Sequence, residues 1–380
     1  MPGVSIALAT FNGETYLAPL LDSLARQSTP PAELIVSDDR STDRTVEIAQ
    51  AFAAGAQFPV RIICNERQLG FRDNFLQAVA HCESDLIAFC DQDDIWESEK
   101  LAVMERVFDD PNVLLAFHNA TLIDDKDHAI GSLYQGTDGI VISEPLERHP
   151  WLVVPGFCQV FRRTLTRFAS LHSASRDADW AGEPLAHDRW FYFLASVLGR
   201  IAFVRKPLVR YRQHGDNAYG LYTDRQAHLG RLGRGEEFIR TAAAAAKNRV
   251  ELLPQMQGLS AEEQERSRAG VTYYEALHRR LDRRTQVHAA PAYFTRLGAF
   301  FSLARQGAYR NTVGSARFGW GDLLMDGFLA VPFGPRLRRL LPWCIAWVER
   351  LTGKSRLASD AGQGPERPTS HTAREQASKD

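Results

Sequence analysis

The apolar run Leu86-Ile87-Ala88-Phe89-Cys90 passes straight into Asp91-Gln92-Asp93-Asp94. A run of that length and composition, bounded by polar residues, reads as a buried strand. Three carboxylates therefore stand where a buried strand ends. Asp91 and Asp93 are two apart, and side chains two apart on an extended chain point the same way. Two carboxylates held together repel unless a cation lies between them. A hard divalent ion such as Mg²⁺ is commonly held by one or two carboxylates together with substrate phosphates. Two readings follow. One is a metal-bridged site for a phosphorylated substrate, at the carboxyl end of a strand, where open α/β sheets bind ligands. The other is a turn followed by a helix cap, since Asp favours both.

The chain before this point repeats one pattern. Residues 4–9 read as a buried strand, and Tyr16, Leu17, Leu20, Leu21 and Leu24 follow at helical spacing. Pro30-Pro31 breaks that helix ahead of a second strand at 34–37. Ser41 or Thr42 caps a helix carrying Val46, Ile48, Ala49 and Phe52. A third strand at 60–64, a short helix at 74–80, the strand at 86–90, a helix at 97–108 and a strand at 113–117 complete the series. Strands alternating with helices imply right-handed crossovers and a mostly parallel sheet covered on both faces, an α/β fold.

Composition narrows the function. The 380 residues carry 45 basic and 46 acidic side chains, a balance that argues against a nucleic-acid binder. At 44% hydrophobic, the chain has enough apolar surface for a sizeable core. Cys64, Cys82, Cys90, Cys158 and Cys344 are scattered without a CxxC pair and read as reduced thiols of a cytoplasmic protein. Met1-Pro2-Gly3-Val4 lacks a basic leader region, and no run of about 18 apolar residues marks a membrane span. Three regions are expected: a catalytic domain at 1–220, a helical region at 221–352 and a polar tail at 353–380 too poor in apolar residues to order.

Polar loops follow the other strands as well. Strand one ends in Thr10-Phe11-Asn12-Gly13 and strand two in Asp38-Asp39-Arg40-Ser41-Thr42-Asp43. Neither the GxGxxG fingerprint nor a GxxxxGK[ST] loop is present, so phosphate would be met by a metal rather than a glycine-rich cradle. These segments, with Asn65, Leu69-Gly70-Phe71, Asn74-Phe75, Asp91-Gln92-Asp93-Asp94 and Trp96, then Gly156, Phe161-Arg162, His187-Asp188-Arg189-Trp190 and Tyr211-Arg212-Gln213-His214 with Asn217, resemble the family 2 glycosyltransferases with the GT-A fold. The resemblance covers roughly the first 217 residues and is nearest to the rhamnosyltransferase-like branch.

The resemblance implies roles residue by residue. Thr10, Asn12 and Asp39 would contact the nucleotide, Asp39 accepting from the pyrimidine ring N–H. Asp91 would lie near the ribose and sugar, and Asp93 and His214 would hold a divalent metal, Mg²⁺ or Mn²⁺. Asp188 resembles the catalytic base, and Arg212 and Gln213 would bracket the diphosphate. Asp73 stands where many relatives carry a basic residue, which leaves Arg72 as the cation near the nucleotide. Gly156, His187 and Trp190 fall on the acceptor side. Each has a plainer reading: Asp39 as a cap, Asp188 as a helix-start carboxylate, His214 as an ordinary histidine, Gly156 as a turn glycine, Trp96 as packing.

The chemistry agrees with these residue types. Sugar transfer needs a base for the acceptor hydroxyl and a cation for the leaving nucleoside diphosphate. A single base opposite the leaving group implies inversion at C1. The partners implied are a dTDP- or UDP-sugar donor and a glycan or lipid-linked acceptor. A nucleotidyltransferase would also use paired Asp with Mg²⁺, but Thr10-Phe11-Asn12-Gly13-Glu14 is not a triphosphate loop. A binding scaffold with a dead site would lack Asp188 or the Asp pair, and both are present. In the C-terminal region, Arg279-Arg280, Arg283-Arg284 and later arginines interleave with aromatics such as Phe294, Phe300, Phe301 and Trp343. Such helices either pack on the catalytic core or lie peripherally on the inner face of a membrane.

Overall fold

The structure is a computed structural model and describes residues 3–136, 138–213, 235–290 and 292–306. The expected alternation is present: β1 (Val4–Thr10), α1 (Leu17–Ala25), β2 (Glu33–Asp38), α2 (Thr45–Gly55), β3 (Val60–Cys64), α3 (Phe71–Ala80), β4 (Leu86–Asp91), β5 (Ile95–Trp96), α4 (Lys100–Val107) and β6 (Val113–Ile123). Then come β7 (Ala129–Ser132), β8 (Ile140–Ser143), β9 (Gln159–Arg162), α5 (His187–Leu198) and β10 (Arg200–Arg212). The helices α6 (Gly235–Leu252), α7 (Ala261–Ala289) and α8 (Tyr293–Arg305) follow.

One sheet runs in the order β3-β2-β1-β4-β9-β6-β10-β5, with β7 on β6 and β8 on β10. Strands β1 to β4 pair in parallel, and so do β6 and β10. Every residue of β2 is buried, Glu33, Ser37 and Asp38 as well as the apolar Leu34-Ile35-Val36, as fits a parallel strand covered on both faces. Leu17, Leu20, Leu21 and Leu24 bury the inner face of α1, each worth about 1.5–3 kcal/mol of burial.

The expectation of a mostly parallel sheet needs one refinement. Strand β9 lies antiparallel between β4 and β6. A four-residue strand entering from the site side needs no crossover helix, so no helical periodicity announces it. Because β9 opposes both neighbours, β1, β2, β3, β4, β6 and β10 all point one way. Their carboxyl ends share one edge of the sheet, and the start of β9 lies there too.

The C-terminal helices pack on this core. Ala242, Ala243, Ala245 and Ala246 are buried, so the alanine run is the inner face of α6. Thr241 Oγ1 donates to the Ala178 carbonyl, and Arg266 Nη1 to that of Leu198 at 2.8 Å. The Arg249 guanidinium is buried over the Trp151 ring, 4.3 Å from its centre. For α6 and α7, the packing reading is the one observed. No helix among the described residues is long and apolar enough to cross a membrane. The expected tail at 353–380 and the basic stretch beyond Arg305 lie outside the described residues.

Gly270 of α7 meets α5 closely: a Cβ there would stand 2.8 Å from Val197 Cγ1, whereas one on Gly298 would meet nothing within 4 Å. Gly270→Val should therefore cost about 1–3 kcal/mol in urea unfolding. Gly298→Ala should gain up to about 1 kcal/mol. Equal responses would remove the tight α5–α7 contact.

Candidate active site

The loop after β1 is stapled to its neighbours. Gln92 Oε1 accepts from the Phe11 N–H at 2.9 Å and Gln92 Nε2 donates to the Phe11 carbonyl at 3.0 Å. Asn12 adopts a left-handed φ of 49°, which Asn tolerates, and its Oδ1 accepts from the Thr42 N–H. Asp38 accepts from Thr10 Oγ1 and from both the N–H and Oγ of Ser41. Asp39 is buried, and its carboxylate accepts from Leu69 N–H at 2.6 Å, Gly70 N–H at 2.8 Å and Asn65 Nδ2 at 3.1 Å. Asn74 links this network to Thr10 by donating to its carbonyl. Thr10, Asn12 and Asp39 thus share one wall. In this wall the Asp39 oxygens hold the 69–70 turn.

At the end of β4, Asp91, Asp93 and Asp94 can each offer a carboxylate oxygen within 4.8 Å of the others, the one such acidic group among the described residues. Asp94 is fully buried, with Oδ1 accepting from the Arg212 N–H at 3.1 Å and Oδ2 without a hydrogen-bond partner. Burial pushes the Asp91 and Asp94 carboxyls up, and the neighbouring carboxylates push them further, Asp93 first; for Asp91 the charge of Asp188 adds to this. An orphaned buried oxygen within a crowd of hard oxygen donors fits a divalent cation such as Mg²⁺ or Mn²⁺. Beneath the turn lies Lys100, also fully buried, its Nζ donating to the Phe157 carbonyl at 2.8 Å. Burial lowers this ammonium to about 8.

Asp188 occupies the first turn of α5, at the same edge. Burial raises its carboxyl to about 6, against the lowering influence of Arg189. A Cβ on Gly156 would stand 2.8 Å from His187 Nε2, so only glycine lets this turn approach the α5 N-terminus. His187 stacks on Phe75 with ring centres 3.9 Å apart, and burial lowers it to about 3, a neutral ring at ordinary pH.

Several expected residues also have partners within the protein. Arg212 is buried; it donates through Nε to the Asp93 carbonyl and pairs with Asp127. It therefore braces the Asp93 turn from below. Gln213 continues the β6–β10 pairing through its N–H to the Ile123 carbonyl. Arg72 sits on Glu183 at 3.0 Å, joining the start of α3 to the loop before α5. Trp190 is 1% exposed and packs on His172 and Phe193, so it supports α5 from within the core. His187 is likewise packing beneath the site. Trp96 is buried, as the packing reading has it. His214 lies outside the described residues. Lys100 was not singled out by the sequence. Its signal was a lysine in line with Leu101, Met104 and Val107 on the buried face of α4.

With this geometry in view, relatives can be placed. Residues 5–168 match the model of Glycosyl transferase family 2, so the chain carries a family 2 glycosyltransferase domain. An uncharacterized glycosyltransferase of Nostoc sp. is 25% identical over 56% of this chain and 66% of its own length. The dTDP-rhamnosyl transferase RfbG of Shigella flexneri is 27% identical over 60% of this chain and 78% of its own. The chain thus spans about two thirds of the first of these relatives. The crystal structure of Staphylococcus aureus TarS 1-349 superposes with a TM-score of 0.48 at 16% identity, over 93% of this chain and 92% of that one.

The Asp39 network has a direct test. Asp39→Ala should cost about 1–3 kcal/mol, the range for leaving buried hydrogen-bonding groups without their partner. The Leu69 and Gly70 amides should lose hydrogen-exchange protection before the β2 amides do. Unchanged protection at 69–70 would show that the tether does not hold this turn.

Proposed function

We propose that the chain is an inverting, metal-dependent glycosyltransferase. It moves a sugar from a nucleotide-sugar donor to a glycan or lipid-linked glycan acceptor in cell-surface polysaccharide assembly. Rhamnose from a dTDP donor is the first candidate, in line with the name of the Shigella relative; a UDP-sugar is the second. One observation carries the reading. An acidic cluster fit for a cation and a carboxylate raised to about 6 share one sheet edge, close enough for the second to perturb the first.

The chain's own residues divide the work. Thr10 and Asn12 line the nucleotide side, and Asp39 keeps the 69–70 turn in place against it. Asp91 faces the sugar. Asp93 and Asp94, with His214, would hold the cation. Bound there, a divalent ion supplies positive charge for the leaving diphosphate. Asp188 accepts the acceptor's hydroxyl proton as the new C1–O bond forms and the C1–O bond to the diphosphate breaks. A carboxyl raised to about 6 is a stronger base than a surface aspartate and is still ionised at neutral pH. Gly156 keeps the approach to Asp188 open. Exposed Phe294 and Phe301 on α8 support a peripheral contact with the membrane that would carry a lipid-linked acceptor.

Turnover of a panel of UDP-, dTDP- and GDP-sugars, with glycan acceptors and Mn²⁺, Mg²⁺ or EDTA, tests the proposal. Release of one nucleoside diphosphate is expected with metal and none with EDTA; release that ignores EDTA would sink metal dependence. Asp188→Asn should lower turnover by about 10²–10⁴-fold with little change in donor KM. Because the Asp188 carboxyl is raised, it takes up its proton as pH falls through about 6. Wild-type turnover should decline below that pH, and the decline should be absent from the residual activity of the variant. Full turnover by Asp188→Asn would remove it as the base.

A further inference from the structure

Lys100 opens α4 and is 0% exposed. A buried ammonium is costly unless its charge is met. Its close partners are neutral: the Phe157 carbonyl at 2.8 Å and the Trp96 ring, whose centre is 3.4 Å from Nζ. Asp94 is the complementary case. It is equally buried, receives one backbone N–H, and leaves Oδ2 with no hydrogen-bond partner. Trp96 stands between the two in the chain, and the buried Cys90 and Cys158 thiols add only apolar surroundings. The two buried groups are close enough for Lys100 to act on the Asp94 carboxyl, and no hydrogen bond or ion pair joins them. With a divalent cation bound, three ionised carboxylates, one ammonium and the cation would sum to zero in a region where an unmatched charge is expensive.

We propose that Lys100 is a positioning residue whose buried ammonium is the built-in counter-charge of the Asp91-Asp93-Asp94 cluster, keeping the three carboxyl groups together when no cation lies among them. The same group ties the cluster to the base. Phe157, which accepts from Lys100, adjoins Gly156, and Gly156 packs on His187 and Asp188. Lys100 therefore fixes the spacing between the two halves of the site as well as their charge. The part of this inference that concerns the cation rests on the metal reading above; the part that concerns Asp94 does not.

The test uses the full chain with Lys100→Met, which keeps a stem of similar length without the charge, alone and combined with Asp94→Asn. Thermal unfolding is followed in EDTA and in saturating Mn²⁺. In EDTA, Lys100→Met should lower Tm by about 5 °C or more, as losing one partner of a buried charge pair implies. In Mn²⁺ the deficit should shrink to less than roughly half, because the cation takes over the lost charge, and direct Mn²⁺ titration should show severalfold tighter binding than in wild type. Adding Asp94→Asn should restore part of the deficit in EDTA. A deficit indifferent to Mn²⁺ and to Asp94→Asn would mean that Lys100 only fills space, and the proposal would be overturned. If wild type itself shows no Mn²⁺ response, the metal reading fails, and rescue by Asp94→Asn still decides the role of Lys100. If Lys100→Met yields no soluble chain, the double variant must restore it; failure to do so also overturns the proposal.

Discussion

Like charges are crowded at the carboxyl edge of the sheet, and much of the surrounding polar architecture keeps them there. Asp38, Asp39, Asp91, Asp93, Asp94 and Asp188 all reach this edge. Left alone they would repel, take up protons or turn toward water. Four of them are restrained by hydrogen bonds from neighbouring groups. Asp38 is tied by hydroxyls and a backbone amide, and Asp39 by two amides and Asn65. Asp94 is held by the Arg212 amide over a buried lysine, and Asp188 by the Arg189 N–H at the start of α5. Restraint of this kind holds a binding edge in shape before any ligand arrives.

The parallel part of the fold was legible because buried parallel strands read as unbroken apolar runs. Residues 4–9, 34–37 and 86–90 lie within buried strands, and 60–64 within the partly exposed edge strand β3. Strands β7 and β8 were not legible, since their residues are largely exposed and lack the alternation of a half-buried strand. Strand β9 is too short for periodicity to show.

The site divides similarly. The aspartates could be found because carboxylates after apolar runs are conspicuous. The internal contacts of Arg212, Trp190 and His187 appear only in the structure, because sequence conveys residue type and not the direction a side chain faces. Arg212 in particular has its Nε on the Asp93 carbonyl, a contact no motif announces. Lys100 was hidden for the opposite reason: a lysine at a helix start reads as solvated, and only its neighbours show that it is inside.

The reversed strand β9 has an architectural consequence. It slots between β4 and β6 and is delivered by the long excursion that includes β7 and β8. The half of the sheet formed by β3-β2-β1-β4 is complete on its own side of that strand. The excursion from Asp124 to Pro155 can therefore grow, shrink or be exchanged without shifting the register that aligns Thr10, Asp38 and Asp91. The fold separates a conserved-geometry chassis from an interchangeable attachment, with β9 as the coupling between them.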